Sequence, residues 1–217
     1  MQLTEWTLTV LKNFSTINSG IVLVPGKMQR TISPEASILV EAEFEDDFPA
    51  KFGIYDLNQF LGNVTTLKDP ELIFTDKQVT MSDDTFSLSY MSCEPQLITA
   101  PPNKALVLEK SDVKFELINA TYTKMRKIAS MNDLPNMSVI GKSGELSLKV
   151  HEYKNDTSNY ATTKIGEHSG KAFIARFKID NLKLIPGDYL VEIKLEKFAI
   201  FTNKTKGLKY YISLETR

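Results

Sequence analysis

Positively charged side chains recur at matching places on two predicted helices of this chain. In the stretch LKNFSTIN the cation is Lys12, and in MRKIASMN it is Arg126, which stands between Lys124 and Lys127. Small Thr and Ser side chains accompany them on the same helix faces. Cations beside short hydroxyl groups can hold phosphate groups without reading a base sequence. The expected chemistry is therefore the binding of a polyanion.

A further pair of cations is expected on a short helix in the second half. The segment KIDNLKLI reads as one helix that Pro186-Gly187 ends, and it carries Lys178 and Lys183. The corresponding helix of the first half follows a capping residue, Asp56, and offers amides instead of cations: Asn58, Gln59 and Asn63. The second half should therefore hold most of the positive charge.

The residues that could perform catalysis do not have the spacings of known catalytic or metal-binding motifs. The two histidines, His151 and His168, form no metal-ligand spacing with Cys93 or with a pair of carboxylates. Phosphate-binding loops, dinucleotide fingerprints and nucleophile elbows are missing from the sequence. The adjacent acids 46–47 and 83–84 are interpreted as solvated groups on exposed connections. The sequence therefore predicts neither an enzyme nor a cofactor or metal site.

The elements that would position the cations occur twice. A helix over Leu3–Ile17, with Thr4 as its N-cap, precedes strands, a short helix and more strands, and a second long helix is predicted over Glu116–Met131. The pattern F-x-A-[KR]-F-x-I also appears twice, as FPAKFGI and FIARFKI. Between the halves, TAPPN interrupts regular structure because adjacent prolines favour an extended chain. We predict an α+β fold with duplicated domains at 1–100 and 111–217, joined by a linker over 101–110.

Composition sets the class of protein. The chain has 217 residues, 42% of them hydrophobic and 24% charged, with a net charge of −1. This composition is typical of a globular protein and excludes a uniformly basic nucleic-acid binder. A single cysteine favours a reducing, intracellular compartment. The N-terminus has no signal-peptide pattern, and the apolar runs are shorter than the roughly 20 residues that span a membrane.

Three stretches resemble one protein family. VLKNFSTINSGI, IYDLNQFLG and LIPGDYLVEI are similar, in order and spacing, to the sliding clamps of T-even-type tailed bacteriophages. The resemblance implies a processivity factor for DNA replication whose subunits each contain two domains of one fold. Three subunits would close head to tail into a ring, with helices lining the hole and antiparallel sheets forming the outer wall.

The resemblance also implies partners and sites. The expected partners are double-stranded DNA, the replicative DNA polymerase, an ATP-driven clamp loader and a late-transcription sigma-like factor, in the cytoplasm of the infected bacterial host. The predicted DNA-facing residues are Lys12, Lys124, Arg126, Lys127, Lys178 and Lys183. Glu5 shares the face of Lys12, where a basic residue would be expected. A pocket for partner peptides is predicted at Leu106, Val107 and Leu108, which could alternatively pack as an edge strand.

Three other interpretations are compatible with parts of the pattern. A phage capsid or tail protein could also use duplicated β-rich domains, and it would assemble beyond a closed trimer without depending on DNA. A single-strand binder would need exposed aromatic residues among its cations, whereas the aromatic residues here follow the apolar faces. A hydrolase would need catalytic groups that the sequence lacks.

Overall fold

The computed structural model describes residues 1–102, 108, 110–203 and 205–215. The chain divides into two compact units, one formed by Met1–Ala105 with Lys206–Leu208 and the other by Leu106–Thr205 with Lys209–Arg217. Each unit combines α-helix with antiparallel sheet, so the predicted α+β class is confirmed. None of the helices in the described part of the chain is long and apolar enough to cross a lipid bilayer.

The first unit contains two helices and seven strands. The helices are α1 (Glu5–Ile17) and α2 (Leu57–Thr66). The strands are β1 (Ile21–Leu23), β2 (Gly26–Ile32), β3 (Ile38–Phe48), β4 (Phe52–Ile54), β5 (Glu71–Phe74), β6 (Gln78–Ser82) and β7 (Ser87–Met91). β1 pairs with β4, β2 pairs with β3, and β5, β6 and β7 form a three-stranded sheet in that order, all antiparallel.

Both helices of the first unit begin at the predicted caps. The Thr4 side chain accepts a hydrogen bond from the amide of Thr7, and the Asp56 carboxylate accepts one from the amide of Gln59 at 2.9 Å. These bonds satisfy amide groups that no earlier turn of the helix can reach. Phe14 on the buried face of α1 joins a series of phenylalanine rings with centroid separations of 5.4–5.9 Å: Phe14, Phe44, Phe48, Phe74 and Phe52. Phe60 on the buried face of α2 contacts the ring of Tyr90 at 5.4 Å.

The second unit has one α-helix, α3 (Asn119–Met131), and eight strands. The strands are β8 (Val113–Leu117), β9 (Asn136–Lys142), β10 (Gly144–His151), β11 (Ala161–His168), β12 (Phe173–Lys178), β13 (Tyr189–Lys194), β14 (Phe198–Asn203) and β15 (Leu208–Ser213). One sheet has the order β11-β10-β9-β12, and β15, β14, β13 and β8 are successive neighbours in another.

Two helix predictions in the second unit are wrong. The long helix begins at Asn119 rather than Glu116, because residues 113–117 form β8 and pair with β13. The short helix expected over 178–185 is only a 3-10 turn, Ile179–Asn181. The amide of Ile179 donates to the carbonyl of Pro135 at 2.9 Å, and the amide of Leu182 closes a three-residue turn on Ile179. Pro186 follows and has no amide hydrogen with which to extend the turn.

Four strands were missed in the sequence: β2, β8, β11 and β14. The segments of β2 and β11 are rich in polar residues, as in GKMQRTI and ATTKIGEH, and the end of β8 was assigned to the helix that follows it. Such strands are recognised by their neighbours in the sheet more than by their own residues. β11 is one of the two outer strands of its sheet, and β12 is the other.

Candidate nucleic-acid interface

The exposed face of α1 carries the predicted polar row. Val10, Leu11 and Phe14 are completely buried, so the opposite side of the helix faces solvent. Lys12 is exposed there, one turn from Thr9 and Thr16. The hydroxyl groups of Thr9 and Thr16 donate to the helix carbonyls of Glu5 and Asn13 at 2.8 and 2.7 Å, so their oxygens stay within one turn of the backbone.

The exposed face of α3 is more basic. Its sequence NATYTKMRKIASM contains three cations and no acidic residue, whereas α1 carries Lys12 and Glu5. Tyr122, Met125 and Ala129 are buried, which turns Lys124 and Lys127 towards solvent. The greater positive charge of the second unit is therefore confirmed for its helix.

Arg126 is only partly available to a ligand. It is half-buried, and its Nη1 donates to the carbonyl of Ile179 at 2.6 Å. The hydroxyl of Tyr122 makes a similar bond, at 2.6 Å, to the carbonyl of Leu182. Both bonds tie the 3-10 turn region to α3, so Arg126 has a structural role that the sequence pattern did not reveal.

Replacing Arg126 with Met should lower the free energy of unfolding of the second unit by about 1.5 kcal/mol, because a charged hydrogen bond to a half-buried carbonyl is lost. Urea denaturation followed by circular dichroism measures this loss. Lys127→Met removes an exposed cation from the next position of α3 and should change stability by less than about 0.5 kcal/mol. Equal losses in the two variants would contradict a structural role for Arg126.

Lys178 and Lys183 do not lie on a helix as predicted. Lys178 is the exposed last residue of β12, and Lys183 is half-buried in the irregular segment after the 3-10 turn. The bonds from Tyr122 and Arg126 nevertheless hold their neighbours Leu182 and Ile179 against α3. Both lysines thus lie in a segment that hydrogen bonds attach to α3, and not on the predicted helix.

The exposed cations keep their charges uncompensated. Among the described residues, ion pairs form only at five other places, and Lys12, Lys124, Lys127 and Lys178 take part in none of them. Surface lysines in this state can exchange solvent counterions for phosphates at small structural cost.

The predicted peptide pocket falls largely outside the described residues. Leu106 and Val107 belong to the undescribed part, while Leu108 is described and half-buried. A feature that sequence reasoning missed is a cavity of about 500 Å³ in the second unit. Its lining combines apolar and charged side chains: Phe173, Ile174, Leu195, Leu214, Arg176, Glu196 and Glu215. These residues come from three separate parts of the chain, so no local pattern marks them.

Both histidines lie within hydrogen-bond distance of other groups of the second unit. His151 Nε2 lies 2.8 Å from the Ser138 hydroxyl, and His168 Nε2 lies 2.9 Å from the carbonyl of Lys171. Within the described part of the chain, no three His, Cys, Asp or Glu side chains come together in a way that could hold a metal ion.

Known proteins match this chain over nearly its whole length. Residues 3–100 match the family described as DNA polymerase processivity factor. The sliding clamp of Vibrio phage KVP40 is 27% identical over 221 residues, which cover 99% of each protein. The sliding clamp of Enterobacteria phage T4 is 26% identical over 196 residues, covering 87% of this chain and 85% of the phage protein.

Solved structures agree on the fold. The proliferating cellular nuclear antigen of Entamoeba histolytica superimposes with a TM-score of 0.69 at 17% identity, covering 99% of this chain and 98% of that one. The PCNA of A. fulgidus, determined with the C-terminal region of FEN-1 bound, gives a TM-score of 0.72 at 13% identity, covering 100% and 97%. The chain is therefore similar in sequence to the phage sliding clamps, its residues 3–100 match the DNA polymerase processivity factor family, and it has the fold of the PCNA structures.

Proposed function

We propose that this chain is a sliding clamp, which encircles duplex DNA and tethers the replicative polymerase for processive synthesis. The observation that carries the proposal is the alignment with a curated sliding clamp over 99% of both proteins, because it includes both units. The exposed cations of α1 and α3 support it, since duplex DNA carries about one negative charge per 1.7 Å of its axis.

A ring of three chains is the assembly that we propose. Head-to-tail contacts use two different surfaces of one chain, and they close into a ring when the rotation between subunits permits it. Such contacts need a free surface on each unit. The outer strands β7 and β11 offer these surfaces, one in the first unit and one in the second.

The open side of β7 exposes an apolar side chain that belongs to the inner face of its sheet. Leu88 is opposite Met81, which is completely buried and also pairs with the buried Leu72. Leu88 itself is 37% exposed, because no further strand follows β7 in this sheet. The other edge, β5, is already covered: Met1 and Leu72 exchange two backbone hydrogen bonds of 2.7 Å. Edge strands left open in this way are templates for pairing with another chain.

The open side of β11 adjoins a groove. A cavity of about 460 Å³ lies between α3 and β11, and Met125, Ile128 and Ala161 contribute apolar surface to it. Lys124 lines the same cavity, which places this predicted DNA-facing cation beside the proposed subunit contact. A neighbouring chain that adds β7 to the edge of β11 would cover this edge and the apolar side chains of the groove.

The mechanism follows from the topology of a ring. A closed ring cannot leave an unbroken duplex, so it needs no strong contact to stay bound. Cations and hydroxyl groups that touch only phosphates let it move along the duplex, because such contacts are equivalent at every base pair. Lys12, Lys124 and Lys127 are exposed and suited to this role.

Replacing Lys12, Lys124 and Lys127 together with alanine should weaken binding to duplex DNA and reduce the salt dependence of this binding. Each lost phosphate contact lowers the slope of log K against log salt by about 0.9, so the slope should fall by roughly 2 to 3. Fluorescence anisotropy across a salt series measures it. The matched control is alanine at Lys77, Lys142 and Lys171, three exposed lysines with the same total charge. Equal slopes for the two triple variants would contradict the proposed surface.

The direct test compares circular and linear DNA. A clamp assembled by its loader should stay on nicked circles and run off linear DNA, and light scattering should give a mass of three subunits. A monomer that binds both DNAs alike, or polymers larger than a trimer, would refute the proposal. The second outcome would favour a structural phage protein.

The remaining partners are proposed on the same basis. An ATP-driven loader is needed because a closed ring must be opened to admit DNA. The polymerase would be tethered through a short peptide, at Leu106–Leu108 or at the 500 Å³ cavity of the second unit. The A. fulgidus PCNA with the C-terminal region of FEN-1 bound supports this mode. We further propose contact with a late-transcription sigma-like factor, in the cytoplasm of the infected bacterium.

A further inference from the structure

A second cluster of cations lies in a cleft of the second unit, away from α3. The cleft has a volume of about 240 Å³ and is formed by the end of β10, the segment that leads to β11, and one residue of β12. Its basic side chains are Lys149, His151 and Arg176, and Tyr153 and Tyr160 contribute aromatic rings. None of these residues belongs to the proposed DNA-facing surface.

Arg176 packs on an aromatic ring, and its Nε lacks a hydrogen-bond partner among the described residues. Its guanidinium carbon lies 3.8 Å from the ring centroid of Tyr153, and its carbonyl accepts the amide of Glu215 at 2.9 Å. Its Nε is buried and, among the described residues, has no hydrogen-bond acceptor. A buried donor without an acceptor costs about 1–3 kcal/mol, so it needs an explanation. An oxyanion bound at the guanidinium would supply the missing acceptors.

Lys149 and His151 line the cleft together with Arg176. Lys149 is half-buried, and its Nζ lies 4.4 Å from the ring centroid of Tyr160. His151 bonds through Nε2 to the fully buried hydroxyl of Ser138. This bond engages Nε2, so Nδ1 is the ring nitrogen that a ligand would use. Ring contacts thus position the two cations, Lys149 and Arg176, before anything binds.

Acidic side chains are present at the cleft but do not neutralise these cations. Glu152 and Asp156 line it, yet in the described part of the chain neither forms an ion pair with Lys149 or Arg176. The pKa of His151 is lowered to about 4, first by burial and then by the charges of Lys149 and Arg176. The charges of Lys149 and Arg176 therefore act on the imidazole, and an anion bound between them would offset this effect.

We propose that this cleft binds a compact phosphate group, held by Arg176, Lys149 and His151. The volume is below the roughly 300 Å³ at which pockets for drug-sized ligands begin, so it suits a phosphate rather than a whole cofactor. Tyr160 is 67% exposed beside it and offers a ring face on which a base can stack. The phosphate could accordingly be inorganic or belong to a nucleoside monophosphate. This inference is independent of the ring.

The test is a titration of the full chain with inorganic phosphate, followed through the ring-proton NMR signals of His151. A phosphate within about 4–6 Å should raise the pKa of His151 from about 4 by at least one unit, since an opposite charge favours the protonated form. The shift should saturate with phosphate and be competed by sulfate. A titration with a nucleoside monophosphate distinguishes the source: tighter binding than inorganic phosphate would indicate stacking on Tyr160.

Lys149→Met should weaken phosphate binding at least tenfold, whereas Lys142→Met, an exposed lysine at the end of β9, should leave it unchanged. Arg176→Met should abolish the pKa shift, and circular dichroism checks that this variant is folded. The proposal is overturned if the pKa of His151 shows no saturable shift at phosphate concentrations up to 50-fold above about 1 mM. Equal weakening by the Lys149 and Lys142 substitutions would also overturn it.

Discussion

Replacing Leu88 with Asp should convert the proposed ring into monomers and abolish its retention on circular DNA. Leu88 belongs to the inner face of its sheet but is 37% exposed at the open edge of β7. In a ring, this position would be covered by the neighbouring chain. A carboxylate there would be taken out of water without a partner, which is costly.

The expected size of the effect is large because the ring contains the contact three times. A central apolar residue of an interface contributes about 2 kcal/mol or more when it is truncated. This corresponds to a dissociation constant roughly 30-fold weaker for each contact. Light scattering over a concentration series should therefore find monomers where the unmodified chain is trimeric, and polymerase assays on long templates should lose processivity.

The matched control is Ile73→Asp in the same sheet. Ile73 is 54% exposed, but it lies on β5, whose edge is covered by Met1. The Ile73→Asp variant should stay trimeric and remain bound to circular DNA. A Leu88 variant that remains trimeric would refute β7 as the contact, and dissociation of both variants would indicate that the sheet itself has been damaged.

Replacing Asn18 with Ala should destabilise the first unit by about 2–4 kcal/mol. The Asn18 amide nitrogen donates to the carbonyls of Ile32 and Thr99, each at 2.9 Å, and its oxygen accepts the amide of Gly20 at 3.1 Å. Alanine would leave these groups without partners in a buried site, and each net loss is on the order of 1 kcal/mol. Urea denaturation should show the loss in the fluorescence of Trp6, the only tryptophan.

Asn132→Ala is the control that the duplicated sequence provides. Asn132 ends MRKIASMN as Asn18 ends LKNFSTIN, but it is exposed and bonds to Ile128 and Asn159 at the surface. Its replacement should cost less than about 1 kcal/mol, measured by circular dichroism. Equal costs would mean that the two asparagines have the same role, contrary to their environments.

The contrast between these asparagines shows how far the repeat in the sequence extends. Both close a 13-residue helix, and that part is local. Only Asn18 reaches the carbonyl of Thr99, a residue 81 positions away. The repeated sequence thus predicted equivalent secondary-structure elements but not equivalent tertiary contacts.

Local information was sufficient for the two helices of the first unit. The spacing of apolar residues and the caps at Thr4 and Asp56 identify α1 and α2, because a helix bonds each residue to one four positions away. The cations of α1 and α3 follow from the same periodicity. Short motifs also predicted the similarity to phage sliding clamps along most of the chain, and the alignments with two of these proteins confirm it.

Tertiary structure decided what depends on distant partners. The segment 178–185 failed to form a helix because Pro135 and Arg126 bond to Ile179. The open edges β7 and β11 are defined by the absence of a neighbour in their sheets, which no single segment can indicate. The phosphate-sized cleft joins Arg176 to Tyr153 across 23 positions of the chain. Periodicity specifies which face of an element is apolar, whereas strand pairing and buried polar contacts are selected by the folded chain as a whole.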